Sequence, residues 1–133
     1  MLDHIHFNDL LFLDIETVPQ VSDYKKLKKQ DKELWEYKAK WLVKEGQNPE
    51  DVYERAGIYA EFGKVICISV GFLFEHEGKR EFRMKTFAGD KEKKVLKDFS
   101  ELLHNHYNAP NYLLCAHNGK EFDFPYLCRR MLI

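Results

Sequence analysis

The chain of 133 residues has the length of one domain, with room for a single hydrophobic core. Its 21 basic and 22 acidic residues leave a formal charge of -1, which excludes a general electrostatic attraction to nucleic acids or anionic membranes. The three cysteines are odd in number, widely spaced and set in apolar runs, which favours reduced core thiols in a cytoplasmic protein. The N-terminal apolar run is short and lacks a basic flank, so we expect no signal peptide and no membrane partner.

The first predicted element is a strand at residues 10–15, within the stretch LLFLDIETVPQ. Its residues are apolar on both faces of an extended chain, which is typical of a central strand covered on both sides. Pro19 is expected to end it, because proline cannot donate to a ladder of backbone hydrogen bonds.

Two acidic residues, Asp14 and Glu16, lie at the end of this strand. Residues two apart on a strand point to the same side of a sheet, so the two carboxylates converge. Carboxylates at that separation repel each other, and a hard divalent cation, Mg²⁺ or Mn²⁺, relieves the repulsion. The plainer alternative is that the strand reaches the surface at its end and both acids are solvated.

The next segment, residues 22–45, is charged and places apolar residues at roughly helical intervals, which predicts a long helix closed by Gly46. A shorter helix is expected at residues 49–56. The long segment mixes the lysine run KKLKK with tyrosines and tryptophans, as single-strand-binding proteins do to contact phosphates and bases. The favoured alternative is an amphipathic helix with solvated lysines and its aromatic side chains in the core.

A β-hairpin is predicted in the middle of the chain. Residues 61–75 and 81–89 are rich in β-branched and aromatic residues, and HEGKR between them supplies a turn. Asp90 is a suitable N-cap for a helix that follows the hairpin and stops near residue 108.

The last part of the chain predicts a short apolar strand at residues 111–116, a loop at 117–121 and a helix at 122–133. The order of all elements calls for an α/β fold with a mixed central sheet flanked by helices and a helical insert between its first two strands. No repeat or linker divides the sequence, so residues 1–133 are expected to form one domain.

A third acidic residue, Asp123, follows the predicted strand at residues 111–116, at the strand end where open α/β sheets place their active sites. The alternative role for Asp123 is that of a helix N-cap. Asn118 and Gly119 are likewise explained equally well as turn residues. His4 and His6 are one residue apart but are treated as surface residues. The glycines lack phosphate-loop spacing and no serine or cysteine has a neighbouring base, which disfavours nucleotide-driven and acyl-transfer enzymes.

Taken together, the motifs LFLDIET and AHNGKEFDFPYLCRR resemble the first two motifs of the DEDD superfamily of 3'-5' exonucleases. The resemblance is closest to the proofreading domain of family B DNA polymerases and its stand-alone bacterial relatives, with weaker support from EFGKVICISVG. These motifs cover about a fifth of the chain. The resemblance implies an RNase H-like fold.

The resemblance also implies a catalytic site. Asp14 and Glu16 would be metal ligands, and Asp123 would hold a second metal ion. Two Mg²⁺ or Mn²⁺ ions in such a site activate water and stabilise the leaving 3' oxygen during hydrolysis of a terminal phosphodiester. The implied substrate is a nucleic acid with a 3' end, with single-stranded DNA favoured, and Thr17, Asn118 and Phe122 would contact it.

The sequence departs from the family at the third motif, in which a Tyr or His precedes the fourth Asp. The chain ends at Ile133 before such a motif, and His104 and His106 do not replace it. We therefore expect a C-terminally incomplete domain that is inactive or weak alone and self-associates through its uncovered apolar edge. The alternatives are a catalytically inactive RNase H-like module that binds nucleic acid or protein, and a metal-dependent endonuclease of the same fold.

Overall fold

The computed structural model describes residues 5–133 and shows one mixed sheet of four strands in the order β3-β2-β1-β4. The strands are β1 (Leu10–Pro19), β2 (Gly63–His76), β3 (Lys79–Ala88) and β4 (Leu113–Cys115). β1 pairs antiparallel with β2 and parallel with β4, while β2 and β3 pair antiparallel. The predicted α/β class and mixed sheet are therefore confirmed. His4 lies outside the described residues, so the pairing of His4 with His6 has no structural test.

The helices comprise α1 (Lys29–Ala39), α2 (Glu92–His106) and α3 (Asp123–Leu132). Three 3-10 helices cover Phe7–Asp9, Tyr24–Lys26 and Pro49–Ile58, and the last of these is the helix expected at residues 49–56. Within residues 5–133, each helix is too short or too polar to cross a lipid bilayer.

The central strand β1 is covered on one face, and the prediction that it is covered on both is wrong. Leu11, Leu13 and Ile15 alternate into a core formed with residues of α2 and α3. On the opposite face the ring of Phe82 on β3 covers Phe12, with the ring centroids 6.0 Å apart. Phe82 itself is 53% exposed, so this apolar face of the sheet remains open to solvent.

The turn of the hairpin between β2 and β3 consists of Glu77 and Gly78, which both have positive φ, 51° and 73°. Two consecutive residues of this kind are typical of a type I′ turn, whose twist matches that of the strands. The predicted hairpin is therefore confirmed with a two-residue connection.

The long helix predicted at residues 22–45 is wrong, because the chain breaks before α1. Leu27 and Lys28 are extended, with ψ of 138° and 154°. The Tyr24 hydroxyl donates to Glu36 at 2.8 Å. Residues 12 apart in one helix lie about 18 Å apart along its axis, so this contact requires the chain to fold back. α1 then ends at Ala39, where the amides of Leu42 and Val43 both donate to the Ala39 carbonyl.

This insert has an aromatic core of its own, in which Trp35 is fully buried and its indole donates to the Pro49 carbonyl at 2.8 Å. The expectation that aromatic side chains of the insert lie in a core is confirmed for Tyr24 and Trp35. It is wrong for Tyr37 and Trp41, which are exposed. The expectation of core cysteines also fails for Cys128, which is exposed.

The predicted cap of α2 is wrong as well. The N-cap position is Lys91 rather than Asp90, and it makes no side-chain capping hydrogen bond. The first helical residue, Glu92, instead turns its carboxylate inward and accepts from the Val65 amide of β2 at 2.8 Å. The end of α2 at His106 is close to the predicted one.

Glu92 also joins the two helices that cover the sheet, through an ion pair with Arg130 of α3. The guanidinium donates to both carboxylate oxygens, with the Nε bond 2.9 Å long, and its third bond goes to the Ala60 carbonyl at 3.0 Å. Arg130 is 7% exposed, so this ion pair is shielded from solvent. It fixes α3 to α2 and to the chain just before β2.

We expect Arg130→Ala to destabilise the fold by about 3 to 5 kcal/mol, because it leaves the partly buried Glu92 without its partner. Urea unfolding of the variant and of the parent chain measures this difference. Arg129→Ala is the matched control, since Arg129 is exposed on the same helix. This substitution should lower the free energy of unfolding by less than about 1 kcal/mol. Equal effects of the two substitutions would contradict a structural role for the ion pair.

The same ion pair should make the folding stability depend on pH. Burial acts to raise the pKa of Glu92, but hydrogen bonds from Arg130 and the Val65 amide outweigh it and hold the pKa below its ordinary value. A carboxylate with a lowered folded pKa stabilises the fold above its unfolded pKa and loses that contribution as pH falls through the folded pKa. The melting temperature, measured from pH 7 down to about pH 3, should therefore fall more steeply for the parent chain than for Glu92→Gln.

Candidate functional site

The candidate site lies where β1 continues past the end of β4. The parallel pairing stops at Phe12 opposite Cys115, and the chain then leaves the sheet and returns as α3. The first residue of α3, Asp123, is 2% exposed and its carboxylate accepts from the backbone amide of Ile15. The N-cap position is Phe122, so the alternative that Asp123 is the N-cap is wrong.

The charge of Asp123 is held in an unfavourable environment. Burial raises the pKa of its carboxyl group, and the negative charge of Asp14 raises it further. The amides of Asp123 and Ile15, and the nearby His117, act in the opposite direction but do not cancel the rise. Asp14 and Asp123 are therefore close enough to repel each other, although they come from distant parts of the sequence.

Asp14 and Glu16 lie on the open face of the sheet, and both are exposed. Asp14 is opposite Ser69 and Glu16 is opposite Cys67 on β2, so strand alternation places the two carboxylates on the same side. A bulge between Glu16 and Thr17 then changes the register. Their exposure also agrees with the simpler alternative of two solvated acids at a strand end.

The three predicted ligands do not form a compact cluster in this conformation. Among residues 5–133, no three His, Cys, Asp or Glu side chains lie close enough together to hold a metal ion. The carboxylate donors of Asp14, Glu16 and Asp123 do suit Mg²⁺ or Mn²⁺ chemically. Asp123 is buried, whereas Asp14 and Glu16 are both exposed, so a cluster of the three would require rotamer changes at Asp14 or Glu16.

The three predicted substrate-contact residues occupy different environments. Asn118 is exposed in the loop before α3 and has a positive φ of 53°, as its interpretation as a turn residue requires. Phe122 is partly buried, with its ring 5.4 Å from that of Tyr126. Thr17 forms a hydrogen bond with the Tyr126 hydroxyl, on the side of the sheet that the helices cover. Substrate contact by these residues stays a prediction.

Sequence reasoning missed the polar residues that hold α3 beside β1. The Tyr126 hydroxyl donates to the Gly57 carbonyl at 2.7 Å, and burial raises its pKa to about 12. Gly57 and Gly63 both lie close to this contact, and a side chain at Gly63 would collide with the Tyr126 hydroxyl. The available signal was the spacing of Tyr126, Leu127 and Arg130, which share one face of a helix.

We expect Asp123→Asn to stabilise the fold at neutral pH by about 1 kcal/mol, because it removes a buried charge that Asp14 repels. The amide oxygen of asparagine still accepts from the Ile15 amide. Thermal or urea unfolding measures the change, with Asp90→Asn, at an exposed position, as the control. A strongly destabilised Asp123→Asn variant would show instead that the carboxylate holds the fold together.

Comparison of the chain with protein-family models, curated proteins and solved structures gave no match. Its function must therefore be argued from the residues and their geometry.

Proposed function

We propose that the chain is a metal-dependent 3'-5' exonuclease domain of RNase H-like fold, with Asp14, Glu16 and Asp123 as its ligands for Mg²⁺ or Mn²⁺. The observation that carries the proposal is the buried carboxylate of Asp123, whose pKa is raised by the charge of Asp14 midway along β1. A buried acid with a raised pKa and a like-charged neighbour is more typical of a functional site than of a packing position. A divalent cation between the two would remove their repulsion.

The sheet topology supports the RNase H-like fold within this proposal. Three antiparallel strands follow each other in the chain, and β4 returns through α2 to lie parallel beside the first of them. This arrangement agrees with the one expected from the two exonuclease-like motifs. Asp14 lies just past the last β1 residue paired with β4, and Asp123 follows β4 in the chain, near the strand edge where open α/β sheets bind ligands.

In the proposed reaction, bound metal ions would activate water and stabilise the 3' oxygen that leaves the terminal phosphodiester. The chain contributes a fixed acceptor in Asp123, which the Ile15 amide orients, and an exposed pair in Asp14 and Glu16. Phe122 and Asn118, which precede Asp123 in the chain, are the proposed contacts to the terminal nucleotide of a single-stranded DNA substrate, and Thr17 is a third.

Turnover by this chain is expected to be weak. Residues 124–133 contain no acidic side chain, so these residues do not supply the fourth carboxylate of the DEDD pattern. The cysteines are free thiols, which suits a cytoplasmic location within the same proposal. Self-association through the end of α3 stays a prediction.

The second candidate is a catalytically inactive module of the same fold that binds nucleic acid or protein. The observation that favours it is the absence of a compact ligand cluster among the described residues. The two candidates differ in metal dependence, because an inactive module has no need of a cation between Asp14 and Asp123.

We expect Mn²⁺ to bind the chain, and Asp14→Asn and Asp123→Asn each to weaken that binding about tenfold or more through the loss of a charged ligand. Isothermal titration calorimetry measures the affinity. With Mn²⁺ present, a 5'-labelled single strand should be shortened slowly from its 3' end, while a circular single strand stays intact. Asp90→Asn should change neither result, since Asp90 is exposed and away from the site.

Binding of Mn²⁺ that is indifferent to Asp14 and Asp123, with no shortening of the strand, would reject the exonuclease in favour of the inactive module. Cleavage of the circular strand would indicate an endonuclease.

A further inference from the structure

A second surface of interest lies on the helical insert, where two large aromatic side chains face solvent. Tyr37 is 66% exposed and Trp41, just after α1, is 81% exposed. Leu34, one turn before Tyr37, is 54% exposed, and the three residues follow one side of the helix. We call Leu34, Tyr37 and Trp41 the aromatic face.

The aromatic face rests on a firm support. Directly beneath it, Trp35 and Ala39 have no exposed surface and pack in the core of the insert. The turn that carries Trp41 is closed by three backbone hydrogen bonds, in which Trp41 donates to Lys38 while Leu42 and Val43 donate to Ala39. Leu42 and Val43 also pack against the same core, so the backbone that presents Trp41 is held on both sides.

Lysines accompany the two exposed rings, in a segment whose acidic residues are Glu33, Glu36 and Glu45. Residues 37–44 contain three lysines and no acidic residue. The Lys40 ammonium lies 5.4 Å from the centre of the Tyr37 ring, and Lys38 lies over Tyr59. Lys40 and Lys44 form no ion pair with any residue from 5 to 133. The Tyr37 ring and the Lys40 ammonium therefore lie together, and Trp41 and Lys44 are exposed in the residues that follow.

The insert is attached to the end of the strand that carries Asp14 and Glu16. The Gln20 amide, just beyond β1, donates to the Phe62 carbonyl, and the Tyr53 hydroxyl donates to the Val21 carbonyl at 2.7 Å. Gly57 lies against the backbone of Val18, where a Cβ atom would be in tight contact at 3.1 Å. The aromatic face therefore belongs to a unit joined to β1 at its C-terminal end, beyond the candidate site.

We propose that the aromatic face binds a single strand of nucleic acid, with bases stacked on Tyr37 and Trp41 and phosphates contacting Lys40 and Lys44. Aromatic platforms beside cations are how proteins hold single strands without reading their sequence. The inference rests on the proposed function for its substrate class and adds a contact that is separate from the metal site. A twofold contact between copies of this face is less favourable, because it would bring lysines against lysines.

The test uses a short 3'-blocked oligothymidylate in EDTA, so that neither a metal ion nor a reactive end takes part. Trp41 and Trp35 are the two tryptophans of the chain, and Trp35 has no exposed surface. We therefore expect the oligonucleotide to quench the fluorescence of Trp41 and to shield it from iodide. Trp41→Ala and Tyr37→Ala should each weaken binding, measured by anisotropy, about tenfold.

The charged contribution has its own readout. Lys40→Gln combined with Lys44→Gln should reduce the slope of log affinity against log salt by about 1.4, since each phosphate contact with a single strand contributes about 0.7. Met84→Ala and Lys79→Gln are matched controls, because both residues are exposed on the hairpin and outside the aromatic face. Thermal unfolding should show that all variants fold, since none of these side chains is buried.

The proposal is overturned if Trp41→Ala binds the oligonucleotide as tightly as Met84→Ala does. It is also overturned if sedimentation shows that Trp41→Ala abolishes self-association while leaving oligonucleotide binding intact, because the face would then be a contact between copies. Loss of Mn²⁺ binding or of strand shortening bears on the exonuclease proposal alone, since binding in EDTA requires neither.

Discussion

The short parallel pairing of β4 with β1 is the constraint on which the site depends. Because β4 pairs through three residues only, the edge of β1 beyond Phe12 has no neighbouring strand. The start of α3 follows β4 in the chain, and the Ile15 backbone and the charge of Asp14 both act on the pKa of the Asp123 carboxyl group. One irregularity of the sheet therefore brings a carboxylate from near the C-terminus next to Asp14.

The contacts of α3 with the rest of the fold keep that carboxylate in place. Arg130 joins the C-terminal half of α3 to Glu92 on α2, and Tyr126 joins its N-terminal half to Gly57 of the insert. The three contacts of α3, at Asp123, Tyr126 and Arg130, are polar and largely shielded from water. Such contacts have strict geometry, which favours one position of the helix over a range of positions that apolar packing alone would allow.

The elements that sequence reasoning located well are those whose signals are local. The hairpin follows from β-branched strands around Gly78, and α3 follows from Pro125 in its first turn. The errors come from tertiary contacts: Tyr24 folds back to Glu36, and Glu92 turns inward to Arg130 instead of leaving the cap to Asp90. Coverage of β1 also depended on where the helices pack, which the apolar run in β1 could not indicate. Strand alternation alone predicts that Asp14 and Glu16 lie on one side of the sheet. The burial of Asp123 could not be predicted in this way, because it depends on the packing of the whole fold.

The central claim is that Asp14 and Asp123 are held together to share a divalent cation. A crystal structure of the chain grown with Mn²⁺, with data collected at a wavelength where manganese scatters anomalously, tests it most directly. The account predicts an anomalous peak about 2.0 to 2.6 Å from carboxylate oxygens of both residues, with Glu16 rotated toward it. A structure with no anomalous peak beside Asp14 and Asp123, or with a peak bound by other residues alone, would contradict the claim.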